Sequence, residues 1–206
     1  MSSANVIRWS GLLGVLVGVT VALLDTSVFF GIFTLADTVL VELALNFLVL
    51  FPLIGLYARQ SDMAGILGLV GFVAVFSTHA LAMALASAIA SIAPVQAVFP
   101  RAFEVMGGGP FGVIAVLVVA LGTLGWPVFG IATLRAGLLP RWGAVLVTIG
   151  MPLGTVQNFL LKIPGPIGGV LLGVGLAWLG YALWSGNAAQ VTPSQPVYGA
   201  VEAAEI

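Results

Sequence analysis

The stretch from Met63 to Ile92 decides the fold class, and its sequence is MAGILGLVGFVAVFSTHALAMALASAIASI. No Asp, Glu, Lys or Arg occurs between Asp62 and Arg101. An α-helix needs about 20 mostly apolar residues to cross a hydrocarbon core of roughly 30 Å. The stretch is therefore long enough and apolar enough to form a transmembrane helix.

The rest of the chain has the same character. Of its 206 residues, 61% are hydrophobic and 6% are charged, whereas roughly 25% are charged in ordinary soluble domains. So few charges cannot cover a water-facing surface, and we expect a lipid bilayer to cover the apolar residues. The net charge of -1 offers no basic surface for a phosphate backbone, which argues against nucleic acid as a partner. The absence of cysteine excludes disulfides, thiolate metal sites and a cysteine nucleophile.

Apolar runs bounded by charged residues, proline or glycine predict six transmembrane helices. The runs are Trp9 to Phe33, Thr38 to Tyr57, Met63 to Ile92, Phe111 to Leu134, Trp142 to Leu161 and Gly165 to Trp184. None of them alternates between apolar and polar residues as the strands of a membrane barrel do. The sequence thus predicts an all-α, polytopic membrane bundle of six helices in residues 1–186. Residues 187–206 are polar and contain two prolines, which predicts a flexible C-terminal tail.

The basic residues predict the orientation, because short cytoplasmic loops are enriched in Lys and Arg. In a six-helix zigzag, one side of the membrane has four of them and the other side has two. The four are Arg8, Arg59, Arg135 and Arg141, and the two are Arg101 and Lys162. This distribution favours a multi-pass protein of the plasma membrane with both termini in the cytoplasm.

Small residues at helical spacing mark the faces where membrane helices approach closely. Such positions include Gly14 and Gly18 on the first predicted helix, Ala86 on the third, Gly154 on the fifth and Gly169 on the sixth, each on a face rich in Gly or Ala. We expect these faces to hold the helices together in a tight bundle, in which a large side chain would not fit.

Five polar residues in the predicted helices point toward neighbouring helices. Three of them lie on the Gly- or Ala-rich packing faces, and the other two are one turn apart on the second helix and point the same way. The five are Asp25, Glu42, Asn46, His79 and Asn158. At about 1.5 Å of rise per residue, all five fall at a similar depth in the outer half of the membrane. An ionisable side chain at such a depth costs about 2.5 to 3.5 kcal/mol on insertion scales, and it usually faces the protein interior. These residues form a candidate intramembrane polar cluster.

Three interpretations of this cluster remain open. The side chains can serve only as hydrogen-bonding contacts that fix which helices meet. Alternatively, two carboxylates and an imidazole can form a proton or cation site. A metal site is the third interpretation, although one His with carboxylates is a small ligand set and no HExxH motif is present.

Three segments resemble a pattern found in uncharacterised multi-pass bacterial membrane proteins. They are Gly55-Leu-Tyr-Ala-Arg-Gln60 followed by Gly65, Gly68 and Gly71-Phe72; Phe129-Gly-Ile-Ala-Thr-Leu-Arg-Ala-Gly-Leu-Leu-Pro-Arg-Trp142; and Arg8-Trp9-Ser-Gly-Leu-Leu. The resemblance covers most of the predicted membrane region. It implies a bacterial plasma-membrane location, and it implies no activity.

The motifs of catalysis and nucleotide binding do not occur in this sequence. It contains no G-x-S-x-G nucleophile elbow and no G-x-x-x-x-G-K-[ST] phosphate loop. We therefore expect a non-enzymatic protein without cofactors, acting as an accessory or interaction component with a membrane-protein partner or a second copy of the chain. The alternative is a small proton- or cation-coupled transporter that uses the polar layer.

Overall fold

The computed structural model describes residues 3–33, 35–92, 109–157, 161 and 165–186. In this part of the chain the structure is helical and has no strand, which confirms the all-α prediction. The helices are α1 (Ser3–Phe29), α2 (Leu35–Leu48), α3 (Leu50–Ile92), α4 (Pro110–Ala136), α5 (Arg141–Thr155) and α6 (Ile167–Ser185). The predicted tail, residues 187–206, lies outside the described residues, as does Asn158.

Four helical stretches are long and apolar enough to cross a membrane. They are Asn5–Phe29, Asp37–Ala90, Pro110–Ala136 and Ile167–Ser185. The second stretch combines two of the predicted spans, and α5 has only 15 residues, fewer than the about 20 that a straight crossing needs. The prediction of six transmembrane helices is therefore not confirmed by length and composition.

One predicted helix end was wrong, and a second helix changes its geometry before its predicted end. The first helix ends at Phe29 and not at Phe33, because the chain turns at Gly31 with a φ of 70°. The regular part of the fifth helix ends at Thr155, and Val156 and Gln157 continue it as a π-helical turn. Its end widens, and the Leu161 N–H bonds to the carbonyl of Val156, five residues earlier, at 2.9 Å.

α2 and residues 50–64 form one continuous rod that is interrupted at Val49. Backbone hydrogen bonds continue through the junction, from the N–H of Val49 to Leu45 at 2.9 Å and from that of Leu53 to Val49 at 3.1 Å. Pro52 has no N–H with which to bond the carbonyl of Leu48, four residues earlier. The missing bond explains why the regular helix is interrupted at Val49.

Within α3 the chain reverses its direction at Gly65. The φ of 56° and ψ of -154° at this residue belong to a region that only glycine adopts without strain. Tyr57 precedes Gly65 and Phe72 follows it, and their rings stack with centroids 4.5 Å apart. Farther away, Asn46 is hydrogen-bonded to His79. Contacts between residues so distant in sequence require residues 66–92 to run antiparallel to residues 37–64.

The other neighbouring helices are also antiparallel, since along each interface residue numbers rise on one helix as they fall on the other. The facing pairs are Gly11 with Gly180 and Gly18 with Gly173; Ser10 with Gly55 and Gly14 with Pro52; Gly71 with Phe129 and Gly125 with Val75; Gly122 with Met151 and Gly130 with Thr148; and Gly143 with Leu179 and Gly150 with Leu172. The segments close a ring in the order α1, α2 with residues 50–64, residues 66–92, α4, α5 and α6, which packs back on α1.

Glycines bring α1 and α6 into backbone contact. A β-carbon at Gly11 would lie 2.6 Å from the carbonyl oxygen of Gly180, and one at Gly18 would meet the carbonyl oxygen of Gly173. Of the other positions that the sequence marks for packing, Gly14, Gly154 and Gly169 lie at contacts with a second helix and Ala86 is buried. The small residues therefore set how closely the helices approach.

Large apolar side chains fill the interior of the ring. Leu53, Leu56, Phe129 and Leu179 are fully buried in one contiguous core, and Trp126 is 1% exposed. Large apolar residues also cover the outside, where Ile66 is 82% exposed and Leu124 is 67% exposed. An apolar exterior of this kind requires a lipid or protein cover.

Replacing Gly18 with leucine should destabilise the protein, because the new side chain would force α1 away from α6. We expect a loss of at least about 1 to 3 kcal/mol, as for overpacked cores, measured as a lower thermal unfolding temperature in detergent. Val19→Leu is the matched control, since Val19 is 48% exposed on the outside of the same helix. Equal unfolding temperatures for the two variants would show that α1 and α6 do not pack at Gly18.

Candidate functional site

A cavity of about 200 Å³ opens inside the ring, near the ends of the helices that lie away from Arg8 and Arg59. Its polar lining consists of Asp25, Glu42, Asn46 and His79. Its apolar lining includes Val17, Val21, Leu24, Leu45, Leu172 and Leu176, and Trp126 completes it. The cavity thus has contributions from α1, α2, α3, α4 and α6.

Four of the five residues that the sequence predicts for a polar cluster lie around this one cavity. The fifth, Asn158, lies outside the described residues. Its neighbour Gln157 places its amide group against Gly165, and it is not among the residues that line the cavity. The functional role of the cluster stays a prediction.

Asp25 reaches the cavity from α1 because α6 has no side chain at the facing position. A β-carbon at Gly169 would overlap the carboxylate of Asp25. Among the described residues, none donates a hydrogen bond to this carboxylate. Within the described part of the chain, Asp25 is therefore held by packing against glycine, and no donor there occupies its oxygens.

A chain of hydrogen bonds links Glu42, Asn46 and His79. The side-chain Nδ2 of Asn46 donates to the backbone carbonyl of Glu42, one turn earlier, at 2.8 Å. Its Oδ1 lies 2.8 Å from Nδ1 of His79 on the antiparallel segment. The carboxylate of Glu42 accepts a bond of 3.2 Å from the hydroxyl of Thr38. These bonds orient the polar side chains of two helices relative to each other.

The same bonds determine which nitrogen of the neutral His79 ring carries the proton. Nδ2 of Asn46 must be the donor to a carbonyl, so Oδ1 is the atom that faces His79 and it can only accept. Nδ1 therefore carries the proton and Nε2 carries the lone pair. Nε2 is buried and has no hydrogen-bond partner among the described residues.

Aromatic rings close the inner side of the cavity. The ring of Trp126 lies edge to face with that of His79, with centroids 5.9 Å apart and planes at 81°. Phe129 packs against the other side of Trp126 with centroids 6.4 Å apart. Trp126 is 1% exposed and Phe129 is 0% exposed. Buried apolar side chains therefore form the inner end, or floor, of the cavity beneath the polar residues.

Sequence reasoning missed Trp126 and a second buried polar pair. Trp126 stands between Gly125 and Pro127, and this glycine marks a packing face, which was the available signal. The second pair is a bond of 3.0 Å from Nε2 of Gln60 to the hydroxyl of Thr133, both 1% exposed. Gln60 follows Arg59 at a predicted helix end, and nothing in its sequence position indicates burial.

The ionisable groups that line the cavity are acceptors when they are not protonated. The oxygens of Asp25 and Glu42 and the lone pair of Nε2 can each take up a proton or accept a hydrogen bond. No Lys or Arg is among the lining residues that the structure describes. The described residues also include no group of three or more His, Asp or Glu side chains that could hold a metal ion. The site is suited to a proton or to a ligand that brings donors and positive charge.

No protein-family model, no curated protein and no solved structure matches this chain. The geometry of the cavity is therefore the basis for any functional proposal.

The bond between Asn46 and His79 should show as an energetic coupling in a double-mutant cycle. We expect Asn46→Ala and His79→Ala to couple by about 0.6 to 1.7 kcal/mol, the range found for hydrogen bonds between membrane helices. The measurement is unfolding free energy in detergent for the two single variants and the double variant.

The control cycle pairs His79→Ala with Thr155→Ala, because Thr155 bonds to Thr123 on α4 and does not line the cavity. Effects at sites without shared partners add within about 0.3 to 0.5 kcal/mol. If both cycles give the same value, the Asn46 to His79 bond contributes nothing specific.

Proposed function

We propose that this protein is a six-span integral membrane protein of the bacterial plasma membrane. Its cavity takes up a proton or another small cation as one step of proton- or cation-coupled transport, without enzymatic activity. The observation that carries the proposal is the convergence of Asp25, Glu42 and His79 on one cavity.

Unpaired acceptors favour this role over a purely structural one. Side chains that only fix helix contacts would be expected to have their hydrogen bonds satisfied within the bundle. Here the Asp25 carboxylate and Nε2 of His79 lack donors among the described residues. Ionisable groups placed in a cavity at membrane depth commonly mark the path of an ion or a proton.

The antiparallel ring supports six crossings. The reversal at Gly65 divides the long helical stretch of residues 37–90 into two antiparallel rods. α5 is short, but it packs antiparallel to both α4 and α6 and so fits a fifth crossing. An even number of crossings places both termini on one side. The excess of Arg near that side assigns it to the cytoplasm, and the cavity then opens toward the outside.

The accessory or interaction role that the missing catalytic motifs favour stays a prediction. A membrane-protein partner or a second copy of the chain would contact the apolar exterior, which lipid covers equally well. No described contact favours that role over transport, whereas the cavity favours transport.

Reconstitution into liposomes tests the proposal. Under at least one of a set of pH, sodium and potassium gradients, the wild type should show gradient-driven flux, and Asp25→Asn or His79→Ala should reduce it to the level of empty liposomes. The reason is that each substitution removes one of the groups in the cavity that can take up a proton. Ion-sensitive dyes inside the liposomes provide the measurement.

Asp62→Asn is the matched control, since Asp62 is exposed near the reversal and does not line the cavity. It should transport like the wild type. Undiminished flux in both cavity variants would reject the site, and absence of flux in the wild type together with a co-purifying membrane protein would favour the accessory role.

Cysteine labelling tests the orientation. The chain has no native cysteine, so only the introduced residue can react with the label. Ile32→Cys should react with a membrane-impermeant maleimide on intact cells, because Ile32 is 66% exposed at the cavity end. Asp62→Cys and Ser185→Cys should react only after the cells are opened, because both lie at the other end of the ring. Labelling of all three on intact cells would contradict the proposed orientation.

A further inference from the structure

We infer that the cavity binds a small organic ammonium ion, with its charged nitrogen beside Asp25 and Glu42 and its carbon chain against the apolar wall. The inference rests on the proposed uptake of a cation and narrows the class of that cation. It follows from the charge, the composition and the size of the cavity.

The charge of the lining requires a positive partner. Asp25 and Glu42 both line the cavity, and the described lining has no Lys or Arg to balance them. An ammonium group brings up to three N–H donors. These donors match the oxygens of Asp25, to which no described residue donates a hydrogen bond. His79 also lines the cavity, and its buried Nε2 has no hydrogen-bond partner among the described residues.

The oxygen content of the lining argues against a bare metal cation. Calcium takes about six to eight oxygen ligands, and magnesium about six in near-octahedral geometry. The lining offers two carboxylates, while Oδ1 of Asn46 already faces Nδ1 of His79. The described residues hold no cluster of three metal-binding side chains. An ion that brings its own donors needs fewer ligands from the protein.

The apolar wall indicates that the cation carries a hydrocarbon portion. Val17, Val21 and Leu24 on α1 and Leu172 and Leu176 on α6 line the same cavity as the acidic side chains. Such a wall gives no favourable contact to a hydrated inorganic ion, but it removes apolar carbon from water. A lining with an apolar side and a few polar groups is typical of sites for small organic ligands.

The size and the floor of the cavity complete the inference. Its volume of about 200 Å³ holds roughly six or seven groups of the size of a water molecule, at about 30 Å³ each. The ligand is thus small, with a short carbon chain. Trp126 lies at the floor, and an indole ring attracts organic cations through its π-system.

Calorimetric titration of the full-length protein in lipid nanodiscs tests the inference with n-butylammonium chloride as the probe. We expect saturable binding above the background of empty nanodiscs. Sodium chloride and n-butanol, which provide the charge or the chain alone, should give no saturable binding. Asp25→Asn and Glu42→Gln should each weaken butylammonium binding at least about tenfold, because each removes a charged hydrogen-bond acceptor.

Two further variants separate the site from general effects on folding. Asp62→Asn removes a carboxylate outside the cavity and should bind butylammonium like the wild type. Val21→Phe keeps every charge but fills the cavity, so it should abolish butylammonium binding. If Asp25→Asn or Glu42→Gln fails to fold, Val21→Phe still tests the inference. Unchanged binding in Val21→Phe, saturable binding of butanol with equal affinity, or saturable binding of sodium without butylammonium would each overturn the inference.

The binding experiment and the flux experiment can reject the two proposals separately. Butylammonium binding that depends on Asp25, in a protein without any ion flux, would support the ligand class and reject transport. Flux of protons or sodium that depends on Asp25, without butylammonium binding, would support transport and overturn the ligand class.

Discussion

Direct backbone contact between α1 and α6 closes the ring of helices, and the cavity depends on that closure. In lipid, van der Waals packing and not a hydrophobic force drives helices together, so the close approach needs residues without side chains. Gly11 and Gly18 on α1 meet Gly180 and Gly173 on α6. The same contact places Asp25 against Gly169 and turns its carboxylate inward. If the two helices separated, Asp25 would lose its place beside the cavity and the cavity would lose one of its walls.

The buried rings of Trp126 and Phe129 separate two layers of hydrogen-bonded polar side chains. At the open end, Asn46 ties α2 to the antiparallel segment through His79. Trp126 and Phe129 lie beneath this layer and are buried. Beyond them, Gln60 and Thr133 form a second, fully enclosed pair. The arrangement leaves an apolar barrier between the cavity and the far side, so the proposed transport would require the contacts around Trp126 to rearrange.

Much of this architecture could be predicted from the sequence, because helix geometry converts residue number into depth and direction. Fixed rise and turn put Asp25, Glu42, Asn46 and His79 into one layer on packing faces, and the structure places all four around one cavity. The order of helices in the ring is a tertiary property, so the contribution of Trp126 to the cavity could not be derived. The widening of the helix after Thr155 also escaped prediction, since the apolar run gives no sign of it. Gln60 escaped for a related reason, because a polar residue next to an Arg at a helix end normally lies in water.

The turn at Gly65 fixes the rotational phase of everything that follows it in α3. About four helical turns separate Gly65 from His79, and each residue adds about 100° of rotation. One residue inserted into this turn would swing the imidazole about a quarter of the way around the helix, away from Asn46. The packing of Gly71 against Phe129 would be lost at the same time, because both lie on the same rigid segment. Connections between helices commonly tolerate changes of length. Here the number of residues between Gly65 and His79 sets the direction in which the imidazole points, so this segment should not tolerate an insertion or a deletion.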